Sequence, residues 1–289
     1  MAKVAIITDS SAGITKSEMQ DNLFVVPMPF LINGEEFYED VNLTQEQFYE
    51  MLKNDYSIST SQPSYDEVTK IWNKALETHE QVVYIPLSSA LSSSCDSAKT
   101  YASEGYKDKV FVVDNLRVSV TQKASVFEAL EMAKKGISAK QIAEHLEKSK
   151  LDTSIYITIP NLKYLKKGGR VTPAAAALAG LFSIKPVLKI QGEKLDSFAK
   201  TMNFTQAKNK MITAIGKDIE ERFSDLKEMG KLELSVAHTE NLEMAQKFKD
   251  EIKSIFPNVE FKYVDPLSLI IACHIGPGAI AVAVSRNQM

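Results

Sequence analysis

The sequence predicts an α/β protein in two parts. An N-terminal α/β domain with a parallel sheet is predicted over residues 1–150, and a C-terminal α+β domain with a mixed or antiparallel sheet over residues 151–289. A length of 289 residues suits about two domains. The first half alternates strand and helix patterns, as parallel sheets do, whereas the second half places strand patterns around two long helices. The polar residues 148–150 mark the predicted boundary.

Three short apolar runs in the first half, over residues 3–8, 81–86 and 109–114, are typical of buried parallel strands. Residues 24–33 also look like a strand, but two prolines within them predict an edge position. A helix predicted over residues 120–135 ends in two lysines and a glycine. The capping-box spacing that opens a helix occurs at Thr44 with Gln47, Ser64 with Glu67, and Ser138 with Gln141.

The second half contains six strand patterns and two helical ones. The strands are predicted over residues 155–159, 188–190, 194–199, 232–237, 259–264 and 279–285. The helices are predicted over residues 206–227 and 242–255, because apolar residues recur there at helical spacing.

The composition is that of an ordinary globular protein and excludes several other classes. With 25% charged and 44% hydrophobic residues, the chain is unlike disordered, collagenous or coiled-coil sequences. A formal net charge of −3 argues against a dedicated binder of nucleic acid or anionic membranes. The longest apolar run, over residues 174–182, is far shorter than the roughly 18 residues of a transmembrane segment, and the N-terminus does not resemble a secretory signal.

The cysteines and histidines predict neither a disulfide nor a metal site. Cys95 and Cys273 lie far apart and belong to no C-x-x-C motif, which is typical of reduced thiols in a cytoplasmic protein. The four histidines show no H-x-x-x-H or H-E-x-x-H spacing. We therefore expect no metal and no cofactor.

Five segments place hydroxyl, charged or glycine residues beside an apolar run, and ligands of parallel α/β sheets bind at such strand ends. Thr8-Asp9-Ser10-Ser11 either contacts a ligand or simply caps the following helix. The five segments cover residues 8–11, 59–64, 87–95, 162–170 and 273–279.

Two of these segments are rich in hydroxyl groups that can donate to an anion. Thr60 and Ser61 lie just before a predicted helix, and Ser92 and Ser93 lie where a turn leads into the next one. Hydroxyls beside helix N-terminal amides form a site for a carboxylate or a phosphate without a lysine. The structural alternatives are a loop that only caps a helix and a flexible serine-rich loop. The P-loop pattern is absent.

The two remaining segments contribute a cation and an imidazole. Arg170 follows a double glycine and can pair with an anion, although the same residues also suit a helix C-cap with a basic end. His274 stands between an apolar run and a glycine turn, so we expect it to be partly buried. A lone histidine of this kind is more often structural than catalytic, but beside hydroxyls it becomes a donor to a carboxylate.

Together these motifs resemble the DegV family of bacterial fatty-acid-binding proteins, in the same order over about residues 3–285. The matching pieces are TDSS at Thr8, TSQPS at Thr60, the serine loop followed by Ser97-Ala98, VVD at Asp114, LKYLKKGGR ending at Arg170, Lys185-Pro186, and HIGPGA at His274.

The resemblance implies a carrier, not an enzyme, that holds one long-chain, palmitate-like fatty acid in a buried tunnel between the two domains. By position, Thr60 and Ser92 would hold its carboxylate, and His274 would belong to the same polar network. Some members present the acid to a separate ATP-binding fatty acid kinase subunit. This chain departs from the family at Ser93, which replaces the usual glycine. It also departs at Lys200, which replaces an arginine of kinase-partnered members, and this second change weakens the inference of a kinase partner.

Two other classes of function remain open. A serine hydrolase or acyltransferase would use Ser92 or Ser93 as nucleophile and His274 as base, but the G-x-S-x-G elbow is absent. A kinase or phosphatase acting on a small anion would use the hydroxyl loops, but the sequence has no phosphate-binding motif and no metal-binding carboxylate cluster.

Overall fold

The computed structural model describes residues 3–54, 56–180 and 184–287. Residues up to Lys150, together with Ser268–Ile270, form one compact unit, and Leu151–Leu267 with the residues from Ile271 onward form a second. That the two units are separate domains stays a prediction.

The first unit contains strands β1 to β7 and helices α1 to α5. In chain order they are β1 (Val4–Asp9), β2 (Leu23–Val26), β3 (Pro29–Ile32), β4 (Glu35–Tyr38), α1 (Gln45–Lys53), β5 (Ile58–Thr60), α2 (Tyr65–Leu76), β6 (Gln81–Ile85), α3 (Ser94–Gly105), β7 (Val110–Val112), α4 (Val120–Lys134) and α5 (Ala139–Lys148).

A four-stranded parallel sheet, ordered β2-β1-β6-β7, forms the centre of the first unit and confirms the predicted α/β architecture there. Alternate side chains of β1 point to opposite faces of the sheet. Ile6 packs in a core with α4 and α5, whereas Ile7 packs on the other face with α2 and α3. Because helices cover both faces, all six residues of β1 are buried, which explains its uninterrupted apolar run.

Residues 24–33 form parts of two strands in different sheets. β2 is an edge strand of the parallel sheet, as the prolines predict. Pro29 instead opens β3, the central strand of a small antiparallel sheet ordered β4-β3-β5, so the edge prediction is wrong for that half. Proline is tolerated there because it is the first residue of the strand. All three predicted capping boxes are present, at the starts of α1, α2 and α5.

The rest of the chain contains strands β8 to β13 and helices α6 to α11, which belong to the second unit except for the first two residues of α11. They are β8 (Thr153–Thr158), α6 (Lys163–Gly168), α7 (Pro173–Ala176), β9 (Val187–Ile190), β10 (Asp196–Ala199), α8 (Phe204–Glu221), α9 (Ser224–Glu228), β11 (Leu232–His238), α10 (Leu242–Ile255), β12 (Glu260–Pro266), α11 (Leu269–Ile275) and β13 (Ile280–Arg286).

A six-stranded mixed sheet, ordered β10-β9-β8-β13-β11-β12, confirms the predicted α+β architecture. Its only parallel pair is β11 with β12 among the strands that the structure describes. α8 and α10 pack on this sheet through a core that includes Met211, Ile215, Phe248 and Ile252. The helix predicted over residues 206–227 is in fact two helices, because the chain turns at the buried Phe223, whose carbonyl then begins α9.

Every helix within the described ranges is too short or too polar to cross a membrane. The apolar run over residues 174–182 reaches residues 181 and 182, which lie outside the described residues.

Candidate functional site

A fully buried carboxylate at the end of β1 holds the chain that follows β6. Asp9 Oδ2 accepts a hydrogen bond from Leu87 N at 2.7 Å, and its Oδ1 accepts from Ser11 N at 3.1 Å and from Gln122 Nε2 at 3.3 Å. Burial raises the pKa of Asp9, and these hydrogen bonds offset that effect in part. Asp9 also caps the short 3-10 helix Ser10–Ala12, so the capping interpretation of this segment is confirmed.

The loop after β6, residues 87–93, is called the serine loop below, and it is anchored to the segment that follows β7. Ser88 N donates to Arg117 O at 3.3 Å, and Ser89 N donates to Asp114 Oδ1 at 3.2 Å. Because β6 and β7 are parallel neighbours, both segments leave the sheet at its carboxyl edge.

Hydrogen bonds within the serine loop then orient its last residues. Ser88 O accepts from the backbone N–H groups of Leu91 and Ser92, each at 3.0 Å. Ser92 Oγ accepts from Ser94 N at 3.2 Å, which fixes the oxygen and leaves the hydroxyl proton to be donated elsewhere. Ser93 is exposed, whereas Ser94 is buried at the start of α3 and its Oγ has no partner in the described part of the chain.

Thr60 and Ser61 lie at the end of β5. Thr60 is half-buried and pairs with Phe30 in the antiparallel sheet, and Ser61 is exposed. The side chains of Gln62 and Ser97 exchange hydrogen bonds of 3.1 and 3.2 Å. Since Ser97 lies in the first turn of α3, these bonds tie the Thr60 segment to the helix that begins where the serine loop ends.

In the second unit, the two glycine-containing motifs pack against each other. A Cβ atom at Gly168 would lie 2.4 Å from His274 Nδ1, and one at Gly276 would lie 2.2 Å from Cδ2 of Tyr164. These glycines are needed so that α6 and α11 approach closely. Gly169 caps the C-terminus of α6 in the left-handed conformation, and Arg170 donates to Gly168 O, so the C-cap interpretation is confirmed.

Arg170 is the cation that acts on His274. Burial, and to a lesser degree the guanidinium of Arg170, lower the pKa of His274 to about 4, so the imidazole is neutral at pH 7. A neutral imidazole has one N–H to donate and one nitrogen that accepts. Burial also raises the pKa of the Cys273 thiol.

The structure therefore brings the predicted site residues together as two sets. The hydroxyl residues Thr60, Ser61, Ser92 and Ser93 lie on adjoining segments of the first unit, and Arg170 and His274 lie together in the second. Whether they bind a ligand stays a prediction. Within the described residues, no group of three or more His, Cys, Asp or Glu side chains is arranged to hold a metal.

Several residues that support these sets were not assigned from the sequence. Asp9 ends a strand and Asp114 follows one, inside the TDSS and VVD motifs, so the sequence contained a pattern that could have identified them. Gln122 is the third residue of α4, and nothing in its surrounding sequence indicates its contact with Asp9.

Comparison with known proteins places the chain in a family. The model of the family described as "Uncharacterised protein, DegV family" matches residues 3–287. Protein DegV of Bacillus subtilis is 27% identical over 282 residues, covering 96% of this chain and 98% of that protein. A DegV domain-containing protein of Clostridium perfringens is 29% identical over 290 residues, covering 98% and 97%. The chain belongs to the DegV family.

Solved structures show the same fold. DegV from Bacillus subtilis, described as a fatty acid binding protein, has a TM-score of 0.84 and 26% identity, with both chains covered in full. A stearic acid-binding protein from Eubacterium ventriosum has a TM-score of 0.87 and 25% identity, covering 99% of this chain and 98% of that one. A DegV family protein from Thermus thermophilus, described by its fatty acid binding, has a TM-score of 0.89 and 23% identity, covering 98% and 99%.

Proposed function

We propose that this protein binds one long-chain fatty acid and holds its carboxylate with the hydroxyl groups of Thr60 and Ser92. The fatty acid binding described for the Bacillus subtilis and Eubacterium ventriosum proteins supports this choice of ligand. In the chain itself, the observation that carries the proposal is the fixed hydroxyl of Ser92, which accepts from Ser94 N and keeps its own proton for an anionic acceptor.

The backbone of residues 87–92 leaves this task to the side chains. The N–H groups of residues 87, 88, 89, 90, 91 and 92 all donate to protein acceptors. A carboxylate bound here is therefore recognised through hydroxyl groups. Ser61 and Ser93 are exposed neighbours of the two principal residues and are proposed as auxiliary donors.

The tail of the ligand sets the affinity and its head sets the selectivity. About fifteen methylenes, at about 0.8 kcal/mol each, give a gross favourable term of about 12 kcal/mol. A charge-assisted hydrogen bond to the head contributes about 1.5–3 kcal/mol. Loss of Ser92 should therefore change the preference for free acid over ester far more than it changes the capacity to bind an acyl chain.

Native mass spectrometry of the purified protein tests the proposal. We expect a co-purified species with the mass of a long-chain fatty acid, or uptake of added palmitate by stripped protein. Ser92→Ala should reduce the preference for palmitic acid over methyl palmitate about tenfold. Protein that is purified without ligand and ignores added palmitate would overturn the proposal. A Ser92→Ala protein that keeps its full preference would overturn the role of Ser92.

His274 and Arg170 are proposed as further polar contacts of the head group, His274 as a neutral N–H donor and Arg170 as the cation. Replacing Arg170 with Gln should weaken binding of the acid and leave binding of the ester unchanged. Equal loss for both ligands would show that Arg170 acts only on the structure around it.

We further propose that the protein is a cytoplasmic carrier without catalysis of its own, which takes up the acid and releases it to an enzyme. Lys200, where kinase-partnered members have an arginine, is exposed. If a fatty acid kinase subunit uses this chain, ATP-dependent consumption of the bound acid will require that subunit. The hydrolase alternative stays a prediction, and labelling of Ser92 or Ser93 by a fluorophosphonate decides it.

A further inference from the structure

The carboxylate of Asp9 has neutral partners only among the described residues. It accepts from Leu87 N, Ser11 N, Ser11 Oγ and Gln122 Nε2, and no cation of the described part of the chain pairs with it. A carboxyl group that is completely buried without a cation is costly, and departures of this kind from the rule for buried charges are typical of functional sites.

Two hydrogen-bond steps connect Asp9 to Ser92. Asp9 Oδ2 holds Leu87 N at 2.7 Å, which fixes the first residue of the serine loop. The next residue, Ser88, donates its N–H to Arg117 O at 3.3 Å, and its carbonyl accepts from Ser92 N at 3.0 Å. The Leu87 anchor on Asp9 thus stands directly before the residue that holds Ser92 N.

We infer that Asp9 is a positioning residue for Ser92 and that, through Leu87 and Ser88, it sets the preference of the head-group site for a free carboxylate. This inference rests on the proposed function for its ligand. Asp9 itself does not touch the ligand in this scheme, since both of its oxygens are already engaged by protein donors.

An asparagine at this position is nearly isosteric but presents one acceptor in place of two. Ser11 N and Gln122 Nε2 both donate to Oδ1, so the amide carbonyl of Asp9→Asn will face those two donors. Its NH2 group will then face Leu87 N, and that hydrogen bond will be lost. Asp9→Asn thus releases the serine loop with little change of volume. Ser10→Ala is the matched control, because Ser10 Oγ accepts from Met28 N and, among the described residues, makes no hydrogen bond to the serine loop.

Competition of palmitic acid and methyl palmitate against a fluorescent fatty acid gives the acid-over-ester preference of each variant. We expect Asp9→Asn and Ser92→Ala each to reduce this preference about tenfold, with binding of the ester changed less than about twofold. The double variant should lose no more than either single one, because both act on the same hydroxyl. Ser10→Ala should match the wild type. Independent, multiplying losses in the double variant would overturn the inference.

Amide hydrogen exchange of the ligand-free protein tests the positioning without a ligand. The amides of Leu87 and Ser92 should exchange faster in Asp9→Asn than in the wild type and Ser10→Ala. Unchanged exchange at both amides would overturn the inference. If the wild type binds neither palmitic acid nor its ester, the proposed function fails, and this exchange experiment still decides whether Asp9 positions the loop.

Discussion

Replacing Glu39 with Gln should stabilise the protein at alkaline pH. Glu39 Oε2 accepts from Leu269 N at 2.8 Å, and Oε1 accepts from Gln45 Nε2 at 3.3 Å. Burial, with a smaller effect of the neighbouring Asp40, raises the pKa of Glu39 from 4.5 to about 7, and the two hydrogen bonds offset it only in part. The folded protein therefore binds the proton of Glu39 more tightly than the unfolded chain does.

The sign and size of the effect follow from proton linkage. Well below pH 4.5 Glu39 is protonated in both the folded and the unfolded state and costs no stability. As the pH rises, the unfolded state ionises first, so stability falls until the pH has passed about 7. A pKa difference of about 2.5 (7 − 4.5) corresponds to roughly 3 kcal/mol, most of which develops between pH 5 and pH 8.5. The amide introduced by Glu39→Gln would carry no charge and would still offer an oxygen to Leu269 N.

Urea unfolding at pH 5, 7 and 8.5 measures how the destabilisation by Glu39 depends on pH. We expect Glu39→Gln to have nearly wild-type stability at pH 5 and to exceed it by about 2 kcal/mol at pH 8.5, after about 1 kcal/mol is lost from the Gln45 hydrogen bond. The other titrating groups contribute equally to both proteins, so their contributions cancel in the difference between the free energies of unfolding of variant and wild type. Glu35→Gln, at an exposed residue of β4, is the control and should show no such trend. A difference that is independent of pH would refute the reasoning.

Three further predictions concern stability. Gly168→Ala should destabilise the protein by about 1–3 kcal/mol in urea unfolding, because its Cβ would overlap His274, whereas Gly105→Ala, at the last residue of α3 with open space around it, should have no such cost. The pKa of His274 is about 4 in the folded protein against 6.5 in the unfolded chain, so lowering the pH from 7 to 5 should cost about 2 kcal/mol of stability. His274→Gln should remove that loss, and a variant with the pH profile of the wild type would contradict this prediction. Trp72→Ala should cost about 3–5 kcal/mol by calorimetry, since the side chain is fully buried in the core that α2 forms with β6 and α3, and a much smaller loss would show that the core collapses around the cavity.

Local sequence signals predicted most helices and strands of this protein. The capping boxes at Thr44, Ser64 and Ser138 each depend on residues three positions apart, so they are visible without any knowledge of the fold. Strands β1 and β6 were recognisable because both of their faces are buried. The division of residues 24–33 between two sheets was missed, since the choice of a strand's partner depends on residues far away in the chain.

The candidate site was predicted at the level of segments and not of contacts. The order of the polar motifs identified the serine loop and the Thr60 segment. The hydrogen bonds that hold these segments in place were not visible in the sequence, because Asp9 and Leu87 are 78 residues apart in the chain and Gln62 and Ser97 are 35 apart. Gln122 shows this most clearly, as it reaches Asp9 across 113 residues from the first turn of α4.

Local patterns in the chain show where helices begin, which runs are buried and which segments carry hydroxyls, a cation and an imidazole. Folding adds that Ser94 N fixes the Ser92 oxygen, that the Asp9 carboxylate holds the serine loop, and that His274 lies against Gly168. The physical reason is that capping and periodicity act between near neighbours in the chain. Hydrogen bonds to a buried carboxylate and close backbone approach depend instead on the distances that folding sets between remote residues.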